Sequence, residues 1–260
     1  MMKNNRPIGV FDSGLGGLTV VKQLTSILPH EDIVYLGDTA RAPYGTRSKE
    51  VVTKFSFEDV RFLLSKKVKC IVIACNTSSA LAGNELKKRL KIPVFDVITP
   101  ALNYAKSISK SGRIGAIGTR GTIGSGAYKV PFASACPLFV SFIEEGKING
   151  KALELIAEDY LSDFEKEKVD TLIMGCTHYP IIKDIIQKEV GKYVELVDPG
   201  RAVAEQIRYS LMKDKTLNSQ RKIGKRSYFV TDLTDRFAKT AEIFLGEKID
   251  NKLRKINFIE

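Results

Sequence analysis

The chain is predicted to be an α/β protein whose mainly parallel sheets are flanked by helices, and three features predict it. Short β-branched runs alternate with longer helical patterns along the whole length. The strand-like runs are near-continuously apolar, as strands covered on both faces are, rather than alternating. Two strand endings also look alike, one in each half: Ile71-Val72-Ile73-Ala74-Cys75-Asn76-Thr77 and Thr171-Leu172-Ile173-Met174-Gly175-Cys176-Thr177-His178.

In chain order, the first strand is expected at 8–11, ending at Asp12 before a glycine loop and a helix at 18–28. A strand at 33–36 runs into the loop 38–46, marked by Pro43 and Gly45, and a helix follows at 49–66. The strand at 70–74 carries Cys70 and leads through Cys75 to a helix at 79–90. Strands at 94–98 and 114–117 enclose a helix at 101–109. The second half continues with a helix at 152–165, a strand at 171–174 and a helix at 181–189 with Pro180 near its first turn. A strand at 193–197, a helix at 202–212, a strand at 227–230 and a helix at 235–245 complete the pattern.

Composition narrows the function classes. At 260 residues the chain can bury about 70% of its unfolded surface, so a core needs no disulfide or metal staple. The apolar run at 8–11 stops short of the about 7–15 residues of a signal-peptide core. No run approaches the about 20 apolar residues that cross a bilayer, so a cytoplasmic protein without membrane contact is expected. In that compartment Cys70, Cys75, Cys136 and Cys176 stay reduced. Their spacing lacks the repeated C-x-x-C of a structural zinc site, and no metal is expected. Cys70, inside a strand run, reads as inert core. The net charge of +11 is spread along the chain, with clusters at 221–226 and 252–255. It reads as a basic solvated surface; without an aromatic-interleaved motif, nucleic-acid contact is not expected.

Cys75 and Cys176 sit where ligands bind in open α/β sheets, beyond the carboxyl ends of strands. Each is expected at a helix N-terminus, where oriented N–H groups favour thiolate over thiol. A single cysteine there reads as a small buried hydrophobe. Two in matching contexts read as function, with two facing halves placing both thiols across one cleft. A redox pair would share one C-x-x-C segment. A cysteine phosphatase would carry an Arg within the next several residues, and neither cysteine does. A cysteine hydrolase could pair Cys176 with His178 but leaves Cys75 idle. A two-base proton exchange uses both.

The loop from Asp12 to Thr19 departs from a dinucleotide fingerprint, because Thr19 occupies the third glycine position and Asp12 would repel a pyrophosphate. A tight turn presenting Asp12 and Ser13 to a polar ligand is expected, with a plain strand-to-helix turn as the alternative. Gly118-Thr119-Arg120-Gly121-Thr122 suits a carboxylate or another anion at a helix start; ordinary capping by Thr122 fits equally. His30, in a loop after Pro29, is expected on the surface.

Several pieces occur together in one order: Gly9-Val10-Phe11-Asp12-Ser13-Gly14-Leu15-Gly16-Gly17, Gly37-Asp38 through Pro43-Tyr44-Gly45-Thr46, and Ala74-Cys75-Asn76-Thr77. Gly118-Thr119, Cys136-Pro137-Leu138-Phe139-Val140 with Glu144-Glu145-Gly146, and Gly175-Cys176-Thr177-His178-Tyr179-Pro180 follow. With these the chain resembles bacterial glutamate racemases of the aspartate/glutamate racemase superfamily. The resemblance implies two similar α/β domains with the active site in the cleft between them, residues 98–207 being inserted into a domain of 1–97 and 208–260. It implies cofactor-independent racemisation of glutamate, supplying D-glutamate for peptidoglycan. Cys75 would take the Cα proton from D-glutamate and Cys176 from L-glutamate. Asp12 beside Cys75, and Glu144 with His178 beside Cys176, would assist. Ser13, Pro43, Tyr44, Gly45, Asn76, Thr77, Thr119, Thr122 and Thr177 would contact the substrate, together with Asp12, His178 and both cysteines. A homodimer is the expected assembly, and no pyridoxal cofactor is called for.

One departure stands out. Between Tyr128 and Cys136 the chain has only Lys-Val-Pro-Phe-Ala-Ser-Ala, where the family has a longer stretch with a helix and a strand. The second sheet is expected to lack that edge or to be rebuilt there. Ser141 and Phe142 also stand where the family often has Pro and an aliphatic residue. Beside the racemase reading stand a relative acting on aspartate or another amino acid, a binding module with inert cysteines, and a regulator using the basic surface.

Overall fold

The computed structural model describes residues 4–234, 237–249 and 253–258. The first part of the chain forms β1 (Ile8–Asp12), α1 (Leu18–Ile27), β2 (Ile33–Gly37), α2 (Lys49–Ser65), β3 (Cys70–Ile73), α3 (Asn76–Leu81), α4 (Gly83–Arg89) and β4 (Val94–Asp96). The middle forms α5 (Ile98–Ile108), β5 (Ile114–Gly118), α6 (Arg120–Gly124), β6 (Phe132–Ala135), α7 (Pro137–Glu144), α8 (Lys151–Lys166), β7 (Thr171–Gly175), α9 (Lys183–Val190) and β8 (Glu195–Val197). The chain closes with α10 (Pro199–Lys213), β9 (Arg226–Val230), α11 (Phe237–Leu245) and β10 (Leu253–Lys255). The start of the helix expected at 235–245 and of the basic cluster at 252–255 lies outside the described residues.

These strands build two sheets, in the orders β10-β9-β2-β1-β3-β4 and β6-β5-β7-β8. Every pairing in both is parallel, which explains the continuous apolar runs: β1, β2, β3, β5 and β7 are buried at every position. Register sets the chemistry. Asp12 pairs with Gly37 and Phe11 with Ile73, so the loops after β1, β2 and β3 leave at one level. Gly118 pairs with both Gly175 and Ala135, which does the same for Thr119, Cys176 and Cys136. In each sheet the chain reverses its direction of strand addition, beside β1 and beside β5. Those are the crevices where ligands of such sheets bind.

Helices cover the sheets with apolar stripes. α1 buries Leu18, Val20, Val21 and Leu24 and packs on α10 and α11. Each fully buried aliphatic side chain of such a stripe contributes about 1.5–3 kcal/mol. In α2 the stripe of Val52, Val60 and Leu63 includes two polar residues, Ser56 and Asp59.

Several boundaries differ from the expected ones for visible reasons. The strand at 94–98 ends at Asp96, whose Oδ1 accepts from the N–H groups of Ile98 (2.9 Å) and Thr99 (2.7 Å) and so starts α5 early. The helix expected at 79–90 is two, α3 and α4, broken at Ala82. α3 begins at Asn76 because Cys75 itself caps it. α10 begins at Pro199, which fits the first helical position, with Asp198 capping through Gly200 N–H (2.8 Å). The strand expected at 193–197 is shorter, leaving Tyr193 exposed. Of the two expectations for the sheet edge before Cys136, loss of the edge is corrected: the short stretch itself supplies β6, which pairs with β5. Capping by Thr122 is also corrected, since the capping side chain of α6 is Thr119, accepting from Thr122 N–H at 3.2 Å. Cys70 is buried in β3 and His30 is exposed, as expected.

Candidate active site

One cavity lies where loops from the two sheets meet. Its walls are Ser13, Gly14, Ala42, Pro43, Tyr44, Gly45, Cys75, Asn76, Thr77, Thr119, Val140, Glu144, Cys176, Thr177 and His178. Most of the residues selected from the sequence are therefore brought together. Asp12 and Thr122 are behind the wall: Asp12 is buried under the glycine loop, and the Thr122 hydroxyl bonds those of Thr77 (3.3 Å) and Thr119 (3.0 Å). Gly14, Ala42 and Val140 are wall residues that sequence reasoning left out. Val140 stood inside a motif already noted, but nothing local showed that it faces the cavity.

Glycines let the two sets of loops approach. A Cβ on Gly16 would fall 2.6 Å from His178 Nδ1, and one on Gly45 would fall 2.7 Å from Thr119 Cβ. The glycine loop thus serves close contact between halves rather than a phosphate. Thr19 strengthens the same contact, its hydroxyl donating to Thr177 O at 2.9 Å. Phe244 of α11 meets the His178 ring edge-on at 5.0 Å.

The two cysteines have different surroundings. Cys75 Sγ accepts from Ser78 N–H (3.4 Å) and lies 3.6 Å from Ser13 Oγ. Burial, then the Asp12 charge, push its thiol up to about 11 against the lowering effect of Ser78 and Ser13, so it is protonated at neutral pH. Cys176 was expected at a helix N-terminus; instead a turn and a 3-10 segment, Tyr179–Ile182, intervene before α9. Pro180 lies in that segment and has no N–H to direct at the sulfur. The partner of Cys176 is His178, with Nδ1 3.7 Å from Sγ, while His178 Nε2 lies 3.1 Å from Glu144 Oε1. Burial pulls the imidazole down, but hydrogen bonds to Cys176 and Glu144 outweigh it and bring it up to about 10. His178 is therefore cationic at neutral pH and places a positive charge beside the Cys176 sulfur.

Asp12 is buried, and burial raises its carboxyl, opposed chiefly by the His178 charge. Its Oδ2 accepts from Gly14 N–H (2.9 Å), and its Oδ1 is buried without a hydrogen-bond partner among the described residues. Asn76 is fixed by the Tyr128 hydroxyl (2.7 Å), leaving its amide nitrogen free of partners there. The hydroxyls of Thr77 and Thr119 lie 2.9 Å apart across the sheets. A protonated thiol, a cation-paired thiol and a set of hydroxyl and amide donors thus share one cavity. That combination can move a proton to and from carbon while holding a carboxylate. Among the described residues no group of three or more His, Cys, Asp or Glu side chains is arranged to hold a metal ion, and no helix is long and apolar enough to cross a membrane.

The chain is similar to known proteins along most of its length. The sequence pattern of the Asp/Glu/Hydantoin racemase family matches residues 8–207. Glutamate racemases of Geobacter metallireducens (43% identical; 94% of each chain) and Aquifex aeolicus (44% identical; 97% of this chain, 99% of that one) are similar along nearly their whole lengths. The crystal structure of the Francisella tularensis glutamate racemase in complex with D-glutamate superimposes with a TM-score of 0.90, at 42% identity and 98% coverage of both chains. The chain belongs to the Asp/Glu/hydantoin racemase family and, within it, to the glutamate racemases.

Proposed function

We propose that this chain interconverts L- and D-glutamate by passing the Cα proton between Cys176 and Cys75, without a cofactor. The observation that carries the mechanism is the pairing of unlike thiols on one cavity, one held protonated and one beside a cation. From L-glutamate, Cys176 takes the Cα proton while His178, oriented by Glu144, balances the charge on sulfur. Cys75 delivers its proton to the opposite face. From D-glutamate the roles exchange: Cys75 becomes the base, its negative charge met by Ser78 N–H and Ser13. The intermediate carries charge on the α-carboxylate, where donors from Asn76, Thr77 and Thr119 gain strength as it develops. Asp12, with one oxygen unpaired, serves Cys75 or the substrate ammonium group.

The cavity is small, with a volume of about 30 Å³. The separate sheets, one of β1–β4 with β9 and β10 and one of β5–β8, support the division into a domain of 1–97 and 208–260 and an inserted domain of 98–207. The proposed biological role is supply of D-glutamate for peptidoglycan in the cytoplasm, by a homodimer that sedimentation equilibrium would reveal.

Circular dichroism of metal-free, cofactor-free protein with L- or D-glutamate tests the activity. Loss of optical rotation from both enantiomers is expected; inert glutamate beside racemised aspartate would move the substrate assignment. His178→Asn is expected to lower kcat/KM from L-glutamate about 10²-fold and from D-glutamate less. It should also flatten the pH dependence of Tm. A raised histidine pKa stabilises the fold fully below its unfolded value, about 6.5. That contribution is lost as pH rises through about 10.

A further inference from the structure

Tyr44, a fully buried wall residue, packs its ring with Cys75, Val52 and Phe55. Its hydroxyl lies between two carboxyl groups that are both 0% exposed. One is Asp38, after β2; the other is Asp59, from the buried stripe of α2. Asp38 has three side-chain donors: Arg41 Nε at 2.6 Å, Thr231 Oγ1 at 2.8 Å and the Tyr44 hydroxyl in a short bond. Asp59 has no such set. Its Oδ2 is 3.2 Å from Tyr44 Oη. Its Oδ1 is 3.5 Å from Arg41 Nη2 without a hydrogen bond, the guanidinium being turned to Asp38 and Glu58.

Donor counting decides the protonation state. A tyrosine hydroxyl carries one proton, here given to Asp38, so toward Asp59 the same oxygen can only accept. A carboxylate at Asp59 would face that lone pair and a second anion. A carboxylic acid at Asp59 would donate. We propose that Asp59 is a neutral acid at working pH, donating to Tyr44 and thereby positioning the Pro43-Tyr44-Gly45 wall of the active site. The hydrogen bonds then run one way, from Asp59 to Tyr44 to Asp38, and end on Arg41. Burial, then the Asp38 charge, push the Asp59 carboxyl well above its ordinary range; the Arg41 charge opposes this, and Glu58 adds to it. Tyr35 of β2 also feels Asp59. Asp59 does not line the cavity itself, so it is a positioning residue acting through Tyr44, and its kinetic effect rests on the racemase reading above.

The test compares wild type with Asp59→Asn and Asp59→Ala. The infrared difference between wild type and Asp59→Asn at neutral pH should show a protonated carboxyl C=O stretch that shifts in D2O. Folding takes up a proton at an acid whose folded pKa is raised. Wild-type stability should therefore fall relative to Asp59→Asn as pH rises from about 4 toward the folded value. Asn keeps a donor toward Tyr44, so its KM for glutamate should stay within about threefold of wild type. Ala should raise KM about tenfold with a smaller change in kcat. No carboxyl band, or Asp59→Asn as impaired as Asp59→Ala, would overturn the proposal. If Asp59→Ala does not fold, the band and the pH series still decide. A wild type that shows the band but does not racemise glutamate would leave Asp59 neutral and remove the racemase reading instead.

Discussion

Replacing either Cys75 or Cys176 with alanine is expected to lower racemisation by about 10³-fold or more. Each thiol serves one face of Cα, and nothing else on the cavity wall can stand in for it at the same place. Both side chains are buried and small, so the fold should survive and Tm should move little. The expected loss is handed. With Cys176 gone, Cys75 can still remove and return the proton of D-glutamate, so D-glutamate should exchange its Cα proton in D2O without inverting. Cys75→Ala should show the mirror result with L-glutamate. Chiral chromatography with NMR of the recovered enantiomers reads both. Wild-type turnover in either variant removes the two-thiol scheme.

Gly16→Ala is expected to be the next most damaging change, although Gly16 carries no chemistry. The added methyl carbon would fall 2.6 Å from His178 Nδ1 and 2.7 Å from Cε1, and still closer to the Thr177 hydroxyl. His178 must swing away, breaking its link to Cys176 and Glu144 together. A displacement of this size in a positioned acid-base group costs about 10²-fold in kcat/KM, and overpacking costs about 1–3 kcal/mol of stability. Gly124→Ala in α6 is the control, since a Cβ there meets nothing within 4 Å. Equal activity of the two variants would show that the close approach between the loops does not set the position of His178.

What the sequence revealed follows from which forces are local. The central strands were legible because both faces are buried, leaving a continuous apolar signal at 8–11, 33–36, 70–74, 114–117 and 171–174. β6 was missed because Phe132-Ala133-Ser134-Ala135 has no β-branched residue and pairs on one side only. Short α6 and α7 lack the turns needed for a periodic signal. Cys75, Cys176 and the Asp12-Ser13 turn were legible because they leave the carboxyl ends of strands; most other wall residues, such as Tyr44 and Glu144, came only with the family resemblance. The reason for Gly16 was not legible, because its partner His178 is distant in sequence and the constraint exists only once the two sheets face each other. The supposed equivalence of Cys75 and Cys176 failed for a related reason. Similar strand endings hid different continuations, a cap on α3 in one case and a histidine-bearing turn in the other. Asp59 gave a faint signal, a carboxyl group on the apolar stripe of α2, whose meaning depends on Tyr44 and Asp38 from another loop.

The central claim is that two different groups handle the proton on the two faces of Cα. The most direct measurement follows deuterium by NMR during early turnover of L-glutamate in D2O. The account predicts that the D-glutamate formed carries deuterium at Cα, delivered by Cys75 from solvent, while recovered L-glutamate stays protonated. Deuterium entering L-glutamate as fast as D-glutamate forms, or protium retained in the D-glutamate, would contradict it and point to a single base.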